Sequence, residues 1–185
     1  MPRPDPGPAH RPRPGHTVSF DLNWRPALWH GRDPAVLLEL CNAADLLLLG
    51  ADEAEAAFGL SSHAAIRATF PAPATVVVKN SEHQVTVLNA DITTVSEPAL
   101  VVEVVEPTGA GDAFAAGYLA ATLRGLDQHS CLRLGHLTAA TALTTHGDHG
   151  VPLSPELTAA LLAASPDEWA ATRVTAAGIH SPALS

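Results

Sequence analysis

Cationic residues are scarce in this chain: ten Lys and Arg stand against nineteen Asp and Glu, for a formal charge of −9. A nucleic-acid polymer needs a basic patch on its partner, so that class of ligand is not expected. Cysteine is scarce too. Cys41 and Cys131 are the only two, too few for a disulfide framework and without metal-ligand spacing, so both read as small core residues. Although 46% of the residues are apolar, no run reaches the ~18–20 needed to span a bilayer. The amino-terminal stretch lacks the apolar centre of a signal peptide. A soluble, cytoplasmic protein with no membrane partner is expected. Beyond Met1, large apolar side chains are also missing from residues 1–16, which hold six prolines. That segment cannot build a helix, a central strand or a core, and is expected to be disordered.

From residue 17 the composition becomes that of a packed α/β domain, and 185 residues leave room for one domain with a real core. The abrupt change marks either a linker or coding sequence read from a displaced frame. Strands are expected at 17–21, 46–49 and 75–79, the last two as apolar runs of the kind found in buried strands. Asp33 and Pro34 open a helix running to about Asn42. An Ala-rich helix over 52–58 is stopped by Gly59, and another covers 61–69. Alternation at 84–88, a turn at Asn89-Ala90-Asp91 and β-prone stretches at 93–96 and 100–105 add further strands. Of the next two helices, one presents Phe114, Gly117, Tyr118 and Ala121 on one face, and the other Leu134, Leu137, Thr138 and Thr141. Ser154-Pro155-Glu156 opens a last helix through about Ala163, and 165–185 reads as a tail of low signal. Strands alternating with helices imply a mainly parallel sheet flanked by helices.

The run Glu106-Pro107-Thr108-Gly109-Ala110-Gly111-Asp112-Ala113-Phe114 hands a β-rich segment over to a helix. Gly109 and Gly111 allow a turn without a Cβ penalty and a close approach of bare N–H groups to a ligand. The unpaired N–H groups and positive dipole end of the helix that follows favour phosphate charge. Asp112, in the first turn, is placed to accept a proton from an attacking hydroxyl. Alone, the same run also fits a Gly-rich turn with an acidic helix start.

Two stretches together carry more. Pro107-Thr108-Gly109-Ala110-Gly111-Asp112-Ala113-Phe114-Ala115-Ala116-Gly117-Tyr118-Leu119 resembles the second signature of the ribokinase-like (PfkB) family of carbohydrate kinases. Ser19-Phe20-Asp21-Leu22-Asn23-Trp24-Arg25-Pro26-Ala27-Leu28-Trp29 looks like the D-x-N-x-R…LW segment of that family's 2-keto-3-deoxygluconate kinase branch. The likeness covers roughly 17–164 and implies the C-terminal half of the three-layer ribokinase-like fold. No counterpart is expected here for the half with the di-glycine signature, most of the sugar pocket and the β lid.

The resemblance implies ATP-dependent phosphorylation of a sugar or sugar acid hydroxyl, with ATP and Mg²⁺ as cofactors. Asp112 becomes the general base, and Gly109, Ala110 and Gly111 the anion hole. Asp21, Asn23 and Arg25 become substrate ligands; Lys79, Thr108 and Gly147 become nucleotide contacts; Glu53 and Glu106 become magnesium supports. Asp21 and Asn23 also fit ordinary strand-end turns, and Glu53 a solvated first helical turn. The chain departs from the family pattern where Glu106 replaces an Asp and where Gly50 replaces the Asn of an N-x-x-E motif, giving Gly50-Ala51-Asp52-Glu53. It departs again at Lys79-Asn80-Ser81-Glu82-His83-Gln84, which has neither glycine of a G-x-x-G nucleotide loop.

These departures keep open a second reading, a non-catalytic remnant or half-domain paired with a separate N-terminal half. Expected partners are thus a small sugar or sugar acid, a nucleotide, and either a second copy or that missing half. A Rossmann-type dinucleotide binder lacks its third glycine and its ribose-binding acid. The cluster His146-Gly147-Asp148-His149 invites a metal but falls short of a zinc ligand set. The resemblance places it in a loop near the adenine. Trp24 and Trp29 read as packing residues.

Overall fold

A computed structural model describes residues 15–80, 83–146 and 152–184. All but the last two residues of the Pro-rich segment lie outside that set. The described residues fall into two compact units, 15–80 with 86–94 and 83–85 with 95–184.

The first unit is built on runs of leucine and valine. Strands β1 (Ser19–Asp21), β2 (Leu46–Gly50) and β3 (Thr75–Lys79) pair in parallel, with Asp21 beside Leu48 and Gly50 beside Lys79. β2 is buried at every position, as expected of a parallel strand covered on both faces. On one face, Leu47, Leu49, Val76 and Val78 share a core with Leu37 and Cys41 of α2 (Ala35–Ala43), Ala54 of α3 (Ala51–Phe58) and Ile66 of α4 (His63–Thr69). Each leucine, isoleucine or valine among them contributes ~1.5–3 kcal/mol when fully buried. Trp24 stacks on Trp29 of the short helix α1 (Pro26–Trp29) with ring centres 5.5 Å apart, and both lean on this core. The Cys41 thiol is fully buried, and desolvation pushes its pKa up to about 12.

Local chemistry sets the helix ends. Asp33 accepts the Ala35 N–H at 2.9 Å, so α2 begins one residue beyond Pro34. Ser62 caps α4 by accepting from Ala65, and α3 stops at Gly59 in the left-handed conformation. β4 (Gln84–Asn89) and β5 (Thr94–Pro98) complete a five-stranded sheet in the order β1-β2-β3-β4-β5. Four residues join β3 to β4, too few for a parallel crossover, which makes the sheet mixed. The alternation along β4 does not give it a wet face: Val85, Thr86, Val87 and Leu88 are all buried, since the strand lies inside the sheet.

The second unit centres on a helical pair, α5 (Ala110–Leu123) and α6 (Gln128–Leu143). The buried residues of α5 are the expected Phe114, Gly117, Tyr118 and Ala121. On α6 the expected face is displaced. Leu137 is buried, but Leu134, Thr138 and Thr141 are half-buried, and Arg133, His136 and Ala140 point inward instead. A pattern of apolar residues misses them because two of the three are polar.

The helices approach closely at glycine. A Cβ on Gly117 would meet the Thr138 hydroxyl and lie 2.6 Å from the Leu134 carbonyl oxygen, and one on Gly135 would lie 2.7 Å from the Phe114 ring. Residues 165–184, low in sequence signal, carry α8 (Pro166–Ala171), β7 (Arg173–Thr175), β8 (Gly178–His180) and a 3₁₀ turn. Ser165 and Glu168 cap α8 reciprocally. β7 runs parallel to β6 (Val101–Val102) and antiparallel to β8. Trp169 of α8 anchors a core with Leu100, Leu137, Ala140, Leu161 of α7 (Pro155–Leu162) and Val174.

A buried polar network sits beside that core. The Arg133 guanidinium lies 4.9 Å over the Trp169 ring, donates to the Leu162 and Ala164 carbonyls, and places Nε 3.3 Å from the Glu97 carboxylate. The Trp169 indole donates to the Pro98 carbonyl at 2.9 Å, and His136 Nε2 to the Glu97 carbonyl at 3.1 Å. A carbonyl only accepts, so Nε2 carries the imidazole proton. Desolvation pushes the His136 pKa down from 6.5 to about 4, against a smaller upward pull from the Glu97 carbonyl.

Two outcomes follow for stability. Gly117→Ala should cost ~1–3 kcal/mol, because the opposing carbonyl belongs to helix backbone and cannot step aside. Urea denaturation of the two proteins measures it. His136 stays neutral in the native state down to about pH 4, whereas the unfolded chain takes up a proton near 6.5. Native stability must therefore fall as pH drops between these values, by about 3 kcal/mol. Unfolding free energies at pH 7 and pH 4, with and without His136→Gln, should show that part of the slope disappearing in the variant.

Candidate active site

In the first unit the chemistry gathers at one edge. Because β1, β2 and β3 run parallel, their carboxyl ends lie together, where open α/β sheets bind ligands. Asp21 ends β1, Gly50 ends β2 and Lys79 ends β3. The Lys79 ammonium stands 3.4 Å from both carboxylate oxygens of Asp21. Both side chains are about a quarter exposed, so the pair itself contributes only ~0.2–1 kcal/mol. Its effect is geometric, tying the end of β1 to that of β3.

The chain leaves β1 through Leu22, whose N–H donates to the Leu48 carbonyl, and turns at Asn23 with φ +41°. Asn is among the few non-glycine residues that adopt this conformation readily. Arg25 then caps α1 with its guanidinium exposed and in no ion pair among the described residues. Glu53, in the first turn of α3, accepts the Trp24 N–H on Oε1 at 2.8 Å and the Gly50 N–H on Oε2 at 2.6 Å. The expected substrate group Asp21, Asn23 and Arg25 thus shares its edge with Lys79 and Glu53. The contact between Glu53 and the Trp24 amide has no signal in the sequence, since it joins residues 29 positions apart.

In the second unit, Val105 and Glu106 donate their N–H groups to the Leu143 carbonyl, which pins the approach to α5 against the end of α6. Glu106 folds onto Thr108, accepting the hydroxyl at 2.7 Å and the N–H at 3.0 Å. Those two bonds, the hydroxyl's first, hold its carboxyl below the usual range. Gly109 is left-handed at φ +81°, and a Cβ there would meet nothing within 4 Å. Among the described residues no side chain caps α5, which leaves the N–H groups of its first turn to an anion. Asp112 lies exposed in that turn.

This arrangement suits a phosphate group: a left-handed glycine, open space beside it, and a free helix start. Magnesium bound with nucleotide keeps most of its waters and needs only one or two carboxylates. The second oxygen of Glu106 fits that use. Among the described residues no three His, Cys, Asp or Glu side chains are grouped to hold a metal. Gly147, Asp148 and His149 lie outside the described residues. No described helix is long and apolar enough to cross a membrane.

The chain is similar to known proteins. A profile of the pfkB family carbohydrate kinases matches residues 12–154. The chain is 32% identical over 140 residues to a 2-dehydro-3-deoxygluconokinase of Escherichia coli, covering 72% of this chain and 45% of that protein. It is also similar to the crystal structure of adenosine kinase from Sinorhizobium meliloti, at TM-score 0.67 and 29% identity, over 81% of this chain and 46% of that one. A protein from E. coli assigned as a ribokinase II, in complex with ATP and Mg²⁺, gives TM-score 0.65 and 25% identity over 73% and 44% of the two chains. The chain spans about half the length of the relatives it matches. The fold is the ribokinase-like α/β fold, with a mostly parallel sheet flanked by helices, and the chain belongs to the pfkB family of carbohydrate kinases.

Proposed function

We propose that this chain serves ATP-dependent phosphoryl transfer to a hydroxyl of a sugar acid of the 2-keto-3-deoxygluconate class. The observation that carries the reading is the start of α5. There a left-handed Gly109, an uncapped helix terminus and an exposed Asp112 follow one another. Asp112 takes the proton of the attacking hydroxyl, a step worth ~10²–10⁴ in rate. The N–H groups of Gly109, Ala110 and Gly111 receive the negative charge that develops on the transferring group. Thr108 contributes to nucleotide binding while its own hydroxyl orders Glu106. Gly147, outside the described residues, keeps its expected role near the nucleotide.

Arg25 offers a planar, permanently charged donor set to the acid group of the substrate. Asp21 and Asn23 supply polar contacts beside it, and Lys79, placed by its pairing with Asp21, contacts the nucleotide. ATP would supply the phosphoryl group and Mg²⁺ would offset the charge of its phosphates; Glu106 in the second unit and Glu53 in the first each keep the expected role of a magnesium support. The class of substrate rests on the Asp21-to-Trp29 stretch and on the similarity to a relative named for 2-dehydro-3-deoxygluconate. A second reading, a non-catalytic interaction partner, is favoured by one observation: Lys79 is already neutralised by Asp21, in a segment without the family's glycines.

Turnover decides between them. In a coupled ADP-release assay with 2-keto-3-deoxygluconate, Asp112→Asn should lower kcat ~10²–10⁴-fold with an unchanged melting temperature, because the side chain is exposed. Activity of the unaltered chain no higher than that of Asp112→Ala would sink the catalytic reading. ATP and Mg²⁺ binding by titration calorimetry would then test the second.

A further inference from the structure

Both oxygens of Glu53 are occupied by backbone amides from two different segments. The bond to Gly50 belongs to the start of α3 and is the ordinary reach of a third-position Glu back to its own cap. The bond to Trp24 fastens a loop far away in sequence. That loop is a turn built on Asn23 at φ +41°, a left-handed conformation that Asn tolerates. Two residues on, Arg25 stands exposed at the cap of α1.

Gly50 makes the contact sterically feasible. A Cβ at position 50 would lie 3.1 Å from Glu53 Oε2, 3.3 Å from Glu53 Cγ and 2.5 Å from Asp52 Oδ1. A side chain there would crowd the carboxylates of Asp52 and Glu53, which glycine leaves room to settle. We infer that Glu53 is a positioning residue that holds the Asn23-Trp24-Arg25 turn through the Trp24 amide, with glycine at position 50 leaving its carboxylate room to reach. The inference rests on the proposed role of Arg25 as the substrate's anion ligand. Two lone-pair directions on the carboxylate remain for a metal-bound water, so the role is additional to magnesium support.

Glu53→Asp tests the contact. The side chain becomes one methylene shorter, which draws the carboxylate back from the Trp24 amide. Amide hydrogen exchange by NMR on the full chain should show Trp24 exchanging ~10–100-fold faster in Glu53→Asp and in Gly50→Ala, with Val77 in the centre of β3 unchanged. Unaltered exchange at Trp24 in both variants would overturn the inference. So would faster exchange at Val77 as well, since Glu53 would then hold the fold rather than the turn. In turnover, both variants should raise KM for 2-keto-3-deoxygluconate; a fall in kcat at constant KM would assign Glu53 to the metal alone and also overturn it. If the unaltered chain shows no turnover, the kinase reading fails while the exchange experiment still decides the clamp.

Discussion

Parallel pairing of β1, β2 and β3 is the constraint on which the first unit depends. Parallel strands point the same way, so whatever follows each of them emerges at one edge. In this chain that means Asp21 with the Asn23 turn, Gly50 with Glu53, and Lys79. None of these polar residues provides the force that assembles them. The leucines of β2 and the valines of β3 do, by removing apolar surface from water on both faces of the sheet. Hydrogen-bonding groups at the edge then take positions that the hydrophobic interior has already fixed, and the Lys79–Asp21 and Glu53–Trp24 contacts refine them.

The second unit solves a different problem, presenting an unhindered helix start on a helix that does not shift. Gly109 opens α5 without a Cβ, while Gly117 one helical stretch later lets the same helix sit tightly on α6. Glycine therefore serves access at one end of α5 and rigidity in its middle. The Glu97–Arg133 pair is expensive to desolvate and is held in place by carbonyls and the Trp169 ring. It contributes orientation, locking residues 162–169 and the end of β5 onto α6.

Much of this was legible in the sequence. Continuous apolar runs located β2 and β3, and Ser154, Gly59 and the glycine run marked helix ends where the structure has them. The buried face of α5 was readable because every residue on it is apolar or glycine. Other parts were not. The inward face of α6 carries Arg133 and His136, whose burial is tolerable only with partners from distant segments, and a periodicity argument has no access to those. The elements within 165–184 are each short and take their stability from Trp169 and its neighbours more than from local preference, although Ser165 and Glu168 spell a capping box. At the candidate site, the residue types were legible and the Lys79–Asp21 and Glu53–Trp24 pairings were not.

The two cysteines give each unit its own chemical clock. Cys41 is buried in the first unit and Cys131 in the second, and burial raises the pKa of both thiols. A thiol reagent needs an exposed thiolate, so alkylation of either sulfur has to wait for its surroundings to open. Because the two sit in separate tryptic fragments bounded by Arg32 and Arg67 on one side and Arg124 and Arg133 on the other, mass spectrometry can time the breathing of one unit independently of the other.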